Sequence, residues 1–118
     1  MNWLALDKQE ALDGLLEESK KHPVLIFKHS TRCSISAAAL DRLDRQWEEG
    51  EMHHVKAYFL DLIRFREVSN LIAERLGVFH QSPQAILLRA GQVTYEASHF
   101  GIDYREIKEA SNISVVSN

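Results

Sequence analysis

The sequence has 118 residues, 45% of them hydrophobic and 26% charged, which is the composition of one ordinary globular domain. Fourteen basic and 17 acidic residues give a net charge of −3, and this balance argues against a general binder of nucleic acid or of anionic membranes. A single cysteine excludes an intramolecular disulfide, so we expect a protein of the reducing cytoplasm. We expect no signal peptide, because the N-terminal residues lack the basic region followed by an apolar region that such a peptide has. We also expect no membrane span, because every apolar run is far shorter than the about 20 residues that a span needs.

The first part of the chain predicts a helix and then a buried strand. Asp7 with Glu10 three residues later is typical of a capping box that opens a helix, and Pro23 would end it. The continuous apolar run Val24–Phe27 is rich in residues that favour strands. A run of this kind predicts a strand that is covered on both faces, as in the middle of a sheet.

A second helix is predicted directly after this strand. Its buried face would consist of apolar residues that recur at every fourth position, namely Ile35, Ala39, Leu43 and Trp47. Ser30 and Thr31 offer side-chain oxygens that could cap its first turn. Gly50 suits the left-handed position after its last turn.

The next part of the chain predicts one more strand and helix and then a hairpin. The strand is expected over Val55–Leu60 and the helix over Phe65–Leu76, with Gly77 at its C-terminal end. Two runs of strand-forming residues, at positions 84–88 and 93–96, are joined by a short link that contains a glycine. Such a pair of runs predicts an antiparallel hairpin.

A last helix and a polar tail complete the predicted order of elements. Asp103 with Glu106 is typical of a capping box that opens this helix, and we expect the tail Asn112–Asn118 to fray. The complete order is α-β-α-β-α-β-β-α, in a single domain over residues 1–118. Because strands that alternate with helices pair in parallel through right-handed crossovers, we expect an α/β fold with a four-stranded mixed sheet flanked by helices.

The lone cysteine, Cys33, lies where the first strand passes into the second helix. The N-terminus of a helix stabilises an anion, and the positive charge of the adjacent Arg32 acts in the same direction, so this position favours the nucleophilic thiolate. The hydroxyls of Ser34 and Ser36 could donate hydrogen bonds to the sulfur. The alternative is a small buried apolar residue, because free cysteines are among the most buried residue types.

A second feature is Pro83, which lies between the predicted end of a helix and the start of a strand. One interpretation is a plain trans proline that begins a strand, which is the common case for such bonds. The other is a cis Ser82–Pro83 loop that packs beside the thiol and offers backbone groups to an extended substrate.

Together, the thiol turn, the proline before the third strand and the order of elements resemble the thioredoxin superfamily over nearly the whole chain. A closer resemblance is to the monothiol bacilliredoxins, glutaredoxin-like proteins of low-GC Gram-positive bacteria. The segments that carry it are Lys28-His29-Ser30, Cys33-Ser34-Ile35-Ser36 and Ser82-Pro83-Gln84. The chain departs from that family at Ser34, where a proline usually follows the cysteine.

The resemblance implies a thiol–disulfide oxidoreductase in which Cys33 attacks the mixed disulfide between a protein cysteine and bacillithiol. Bacillithiol would be a co-substrate, without a tightly bound cofactor, and Arg32 could pair with its carboxylates. The implied partners are S-bacillithiolated proteins, a low-molecular-weight thiol and another redoxin. The residues that would contact the substrate are Thr31, Arg32, Ser34, Ser36, Ser82 and Pro83. Because the sequence has one cysteine, an external thiol must resolve the intermediate.

Two other kinds of function stay open at this point. One is a monothiol binding module that carries an iron–sulfur cluster or a small thiol, and the other is an interaction domain with little thiol chemistry. The six histidines lack the spacing of a zinc site, so we expect no metal. His29 and His80 could approach the thiol, but each is more simply a surface or turn residue.

Overall fold

The computed structural model describes residues 1–112, which form a mixed β-sheet with helices on both faces. The elements in chain order are β1 (Leu4–Ala5), α1 (Gln9–Glu18), β2 (Val24–His29), α2 (Ser34–Gln46), α3 (Glu49–Met52), β3 (Lys56–Asp61), α4 (Arg66–Leu76), β4 (Gln84–Arg89), β5 (Gln92–Ser98), a 3-10 turn (His99–Gly101) and α5 (Tyr104–Asn112). None of the helices within these residues is long and apolar enough to cross a membrane.

The strand order across the sheet is β1-β3-β2-β4-β5, so β2 lies in the middle. β2 pairs in parallel with β3 and antiparallel with β4, and β4 and β5 form the antiparallel hairpin. The predicted fold class is therefore confirmed, with five strands in residues 1–112 rather than four. The additional strand, β1, has two residues and pairs in parallel with β3 at Tyr58 and Phe59. A segment this short shows no period in the sequence.

The apolar run in β2 is explained by its central position. Leu25 and Phe27 are fully buried in the core that α2 and α5 cover. Val24 and Ile26 point the other way, into the core that α1 and α4 cover. Each residue of the run therefore faces one of two apolar layers, as successive residues of a strand must.

Two of the predicted helix ends are wrong. α1 begins at Gln9 after Lys8, whose side chain makes no capping hydrogen bond, so Asp7 is not the N-cap. α2 ends at Gln46, and Gly50 lies inside the short helix α3 instead of following α2. Trp47 and Glu48, both with extended backbone, separate the two helices; ψ of Trp47 is 123°.

The ends of α4 and α5 agree better with the sequence patterns. Gly77 follows α4 with φ of +67°, the left-handed conformation that glycine adopts without steric cost. The carboxylate of Asp103 accepts the N–H of Arg105 at 3.1 Å and so caps α5. Glu106 instead accepts the hydroxyl of Tyr95, so only the Asp103 part of the predicted capping box is present. The tail that we predicted to fray lies, after Asn112, outside the described residues.

Three elements bring their ends together at one edge of the sheet. The C-terminal ends of β2 and β3 meet there, with His29 paired to Asp61. The N-terminal end of β4 lies beside them, with Gln84 paired to Lys28. One further step in this antiparallel register sets Pro83 across from His29. The turn that carries Cys33 leaves β2 at the same edge.

Candidate active site

Cys33 lies at the N-cap position of α2, one residue before the helix begins. Its backbone is extended, with φ of −110° and ψ of 118°, and its free thiol is partly exposed. Its carbonyl accepts the N–H of Ala37 at 3.1 Å, as the first bond of the helix, and its own N–H donates to the Ser30 carbonyl at 3.1 Å. The thiol therefore lies at the positive end of the helix dipole, where an anion is stabilised.

The residues on either side of the thiol form the surface of the turn. Thr31, Arg32 and Ser34 are exposed, so all three can be reached by a substrate. Ile35 is also exposed, at 39%, although its period predicted a buried residue. In this first turn of α2 it is Ser36, one position further on, that faces the interior. The predicted caps Ser30 and Thr31 are wrong, because Cys33 occupies the cap position.

Ser36 lies beneath this turn rather than on its surface. It is fully buried, and its hydroxyl oxygen lies 2.6 Å from Nδ1 of His29 and 3.1 Å from the N–H of Ser30. The proposed direct contact of Ser36 with a substrate does not fit this placement. The hydroxyl supports the turn from below instead.

His29 was considered from the sequence as a residue that could approach the thiol, but a surface or turn position was preferred. It is 8% exposed, and its ring packs against Phe59 at 5.3 Å and Phe27 at 6.4 Å between centroids. Burial lowers the pKa of His29 below its usual value, and the nearby carboxylate of Asp61 acts in the opposite direction. The interpretation of His29 as a surface or turn residue is wrong. The signal available in the sequence was its spacing of seven residues from Ser36 across a strand-to-helix turn.

The Ser82–Pro83 peptide bond is cis, as the loop interpretation of this segment expected. Pro83 is buried, and its carbonyl accepts the N–H of His99 at 3.1 Å, which ties the start of β4 to the 3-10 turn. Ser82 is half-buried. Its hydroxyl oxygen is buried and has no hydrogen-bond partner within residues 1–112.

A buried lysine lies on the opposite face of β2 from His29. Lys28 is fully buried, and its Nζ donates to the carbonyl of Ser69 at 3.1 Å and lies 3.3 Å from Nδ1 of His80. Burial, with a smaller contribution from the charge of Arg66, lowers the pKa of Lys28 to about 8. His80 is exposed in its loop, as the sequence predicted, and burial together with Lys28 and Arg66 lowers its pKa.

The arrangement supports nucleophilic chemistry at one sulfur. Over the described residues, no three histidine, cysteine, aspartate or glutamate side chains converge in a way that could hold a metal ion. Because Cys33 is the sole cysteine of the sequence, any disulfide that it forms joins it to another molecule. A thiolate that exchanges with an external disulfide is the chemistry that this geometry permits.

The mixed sheet, the thiol at the start of α2 and the cis proline at the same edge define a thioredoxin-fold protein with a single cysteine thiol. Solved structures share this fold. One described as a proposed oxidoreductase with a thioredoxin fold is 29% identical, with a TM-score of 0.78 over 91% of each chain. Thioredoxin of Fasciola hepatica is 15% identical, with a TM-score of 0.67 over 89% of this chain and 92% of that one. Thioredoxin of Trypanosoma brucei brucei is 13% identical, with a TM-score of 0.70 over 92% and 87%.

The family to which the chain belongs can be stated more specifically than its fold. The model of the family described as monothiol bacilliredoxin BrxC matches residues 4–107, which is nearly the whole chain. The chain therefore belongs to the monothiol bacilliredoxin family, and the resemblance seen in its sequence is confirmed. Together with the oxidoreductase neighbour, this membership supports a role in thiol redox chemistry.

Proposed function

We propose that this protein is a monothiol disulfide reductase that removes bacillithiol from mixed disulfides with protein cysteines. The observation that carries the proposal is a single, partly exposed thiol at the N-terminus of α2 in a chain of the bacilliredoxin family. Protein substrates and bacillithiol would meet it in the cytoplasm, where thiols are kept reduced.

The first step is attack of the Cys33 thiolate on the bacillithiol sulfur of the mixed disulfide. A bond forms between Cys33 and bacillithiol while the bond between bacillithiol and the protein breaks. The substrate cysteine takes the electron pair of the broken bond, leaves as the reduced thiolate and then takes up a proton, and Cys33 is oxidised to the new mixed disulfide.

The second step needs a thiol from outside the chain. A second bacillithiol, or the thiol of another redoxin, attacks the mixed disulfide on Cys33. Attack on its bacillithiol sulfur releases a disulfide that contains bacillithiol and returns Cys33 to its thiolate form. In the net reaction, the substrate's mixed disulfide and one external thiol become a protein thiol and a new disulfide, so the sulfur of the external thiol is oxidised as the substrate cysteine is reduced.

The exposed residues around the thiol are suited to hold the substrate. Thr31, Arg32 and Ser34 border Cys33 on the surface, and the Ser82–Pro83 loop lies at the same edge of the sheet. We assign Arg32 to the carboxylates of bacillithiol, because a guanidinium binds a carboxylate through two parallel hydrogen bonds. In this proposal, bacillithiol is a co-substrate and not a resident cofactor.

The test is to incubate the reduced protein with an S-bacillithiolated protein and to follow both by mass spectrometry. We expect the substrate to lose bacillithiol while Cys33 gains one bacillithiol. The Cys33→Ser protein is expected to be inactive, because its hydroxyl is not ionised at neutral pH. Glutathione disulfide in a parallel reaction measures the preference between low-molecular-weight thiols. A substrate that keeps its bacillithiol in the presence of wild-type protein would refute the proposal.

A further inference from the structure

A chain of hydrogen bonds runs from the buried histidine to the residue that carries the thiol. Ser36 Oγ lies 2.6 Å from His29 Nδ1 and accepts the N–H of Ser30 at 3.1 Å. The carbonyl of Ser30 in turn accepts the N–H of Cys33 at 3.1 Å. The backbone of Ser30 is therefore held at both ends, by Ser36 on one side and by Cys33 on the other.

Both outer members of this chain are fixed in the fold. His29 is the last residue of β2, and its carbonyl accepts the N–H of Leu62 at 3.0 Å, just beyond β3. Ser36 is in the first turn of α2 and is fully buried. It occupies the fourth position of the segment that begins at Cys33, where a side chain can reach back over the N-terminus of its helix.

We propose that His29 is a positioning residue for thiol–disulfide exchange at Cys33, acting through the hydroxyl of Ser36 on the turn that carries the nucleophile. This inference rests on the exchange proposed above and adds a residue to it. The hydroxyl of Ser36 accepts the N–H of Ser30, and in this proposal it donates its own proton to Nδ1 of His29. This arrangement requires a neutral imidazole with its proton on Nε2.

The surroundings of His29 favour that neutral form. β2 and β3 contribute the apolar rings of Phe27 and Phe59, and α2 contributes the Ser36 hydroxyl. Just before β4, Pro83 lies one step beyond the Lys28–Gln84 pair, and continuing that register places it opposite the histidine. Asp61, its neighbour in β3, is the charged group that acts on it and opposes the effect of burial. Lys28 is directed to the other face of β2, towards α4.

Protonation of His29 would reverse the first bond of the chain. Nδ1 would then carry a proton and donate to Ser36, which already accepts from Ser30. The hydroxyl proton of Ser36 would then point away from His29, and we expect this reversal to alter how the turn is held. Exchange at Cys33 is therefore expected to slow as His29 takes up a proton in acid.

The experiment measures single-turnover reaction of Cys33 with 4,4′-dithiodipyridine between pH 5 and 8. The thiolate forms a mixed disulfide with one thiopyridine and releases the other, which absorbs light. This probe needs the thiol of Cys33 but no bacillithiol. Wild-type protein that reacts with the probe yet leaves bacillithiolated proteins unchanged would refute the proposed function and leave this inference standing.

We expect His29→Leu and Ser36→Ala each to slow the reaction at pH 7 by about tenfold, the effect of one lost hydrogen bond. His29→Asn keeps an oxygen that can accept the Ser36 hydroxyl but does not titrate. It should stay within about threefold of wild type and show a shallower fall in rate below pH 7. His53→Leu, at an exposed histidine, is the matched control and should react like wild type.

Thermal unfolding and circular dichroism of each variant separate positioning from folding. Wild-type rates in both Ser36→Ala and His29→Leu, with a lower melting temperature, would mean that the network is only structural and would overturn the inference. Failure of His29→Asn to restore the rate would overturn it as well. If His29→Leu does not fold, the reaction rate of Ser36→Ala is the deciding measurement, since this substitution removes a single hydroxyl.

Discussion

At the scale of single residues, β2 separates two polar side chains that follow each other in sequence. His29 points towards α2 and the thiol turn, whereas Lys28 points towards α4 and is buried, with no carboxylate of residues 1–112 among its hydrogen-bond partners. Alternation along the strand accounts for this separation. Lys28 is an unusual residue for such a place, because a buried charge is costly unless it is paired.

The lowered pKa of Lys28 predicts a rise in stability with pH. An unfolded lysine titrates near 10.5 and the folded one at about 8, so the folded state loses its proton first. The free energy of unfolding should therefore increase from pH 8 towards 10.5, by about 2 kcal/mol once solvent screening is allowed for. Urea unfolding at pH 7.5, 8.5 and 9.5 measures this rise.

The Lys28→Met variant keeps the length of the side chain without its charge. We expect the free energy of unfolding of this variant not to increase between pH 8 and 10.5, and the variant to be more stable than wild type at pH 7.5. Lys21→Met, at an exposed lysine, is the matched control and should keep the wild-type slope. Parallel curves for wild type and Lys28→Met would show that the charge of Lys28 does not limit stability.

At the scale of elements, the start of α2 decides how the thiol is presented. Ser34 is the first residue of this helix, and a proline usually stands there in the family. Proline is favoured at the first helical position, because its fixed φ suits the helix and its missing N–H would be unpaired in any case. The serine therefore leaves the unfolded chain with more freedom than the family's usual residue does.

Ser34→Pro should raise the free energy of unfolding by about 0.5–1 kcal/mol. Urea unfolding at neutral pH checks this value. The substitution also removes an N–H and a hydroxyl next to the sulfur, so we expect a changed rate with 4,4′-dithiodipyridine. Ser34→Ala, which loses the hydroxyl but keeps the N–H, is the control that separates the two groups. A less stable Ser34→Pro protein would mean that the N–H of Ser34 has a partner that the fold requires.

The elements also show where prediction from sequence reaches its limit. β2, β3, α4 and the hairpin were predicted within a few residues, because each has a clear period or apolar run. β1 and α3 were missed, since elements of two and four residues are too short to show a period. Their positions depend on pairing with β3 and on the chain direction after Trp47, which are properties of the folded molecule.

At the scale of the whole molecule, the pairing of the strands brings the residues of the candidate site together. Cys33 was predicted as a reactive residue from its place between a strand and a helix. The partnership of His29 with Ser36 was not, because it depends on which face of β2 the histidine occupies. Pro83 is 50 positions from Cys33 in the sequence, and the antiparallel pairing of β2 with β4 brings it to the same edge.

Cys33 occupies a position at which the fold itself would favour a different residue. As the N-cap of α2 it makes no side-chain capping hydrogen bond, whereas serine, aspartate or asparagine would satisfy one of the helix's unpaired N–H groups. The Cys33→Ser protein, which we expect to be inactive, should therefore melt at a higher temperature than wild type, by an amount that corresponds to about 1 kcal/mol of unfolding free energy. In the proposed function, the sulfur that acts as the nucleophile stands where an oxygen would cap the helix, so reactivity and stability place opposite demands on this one position.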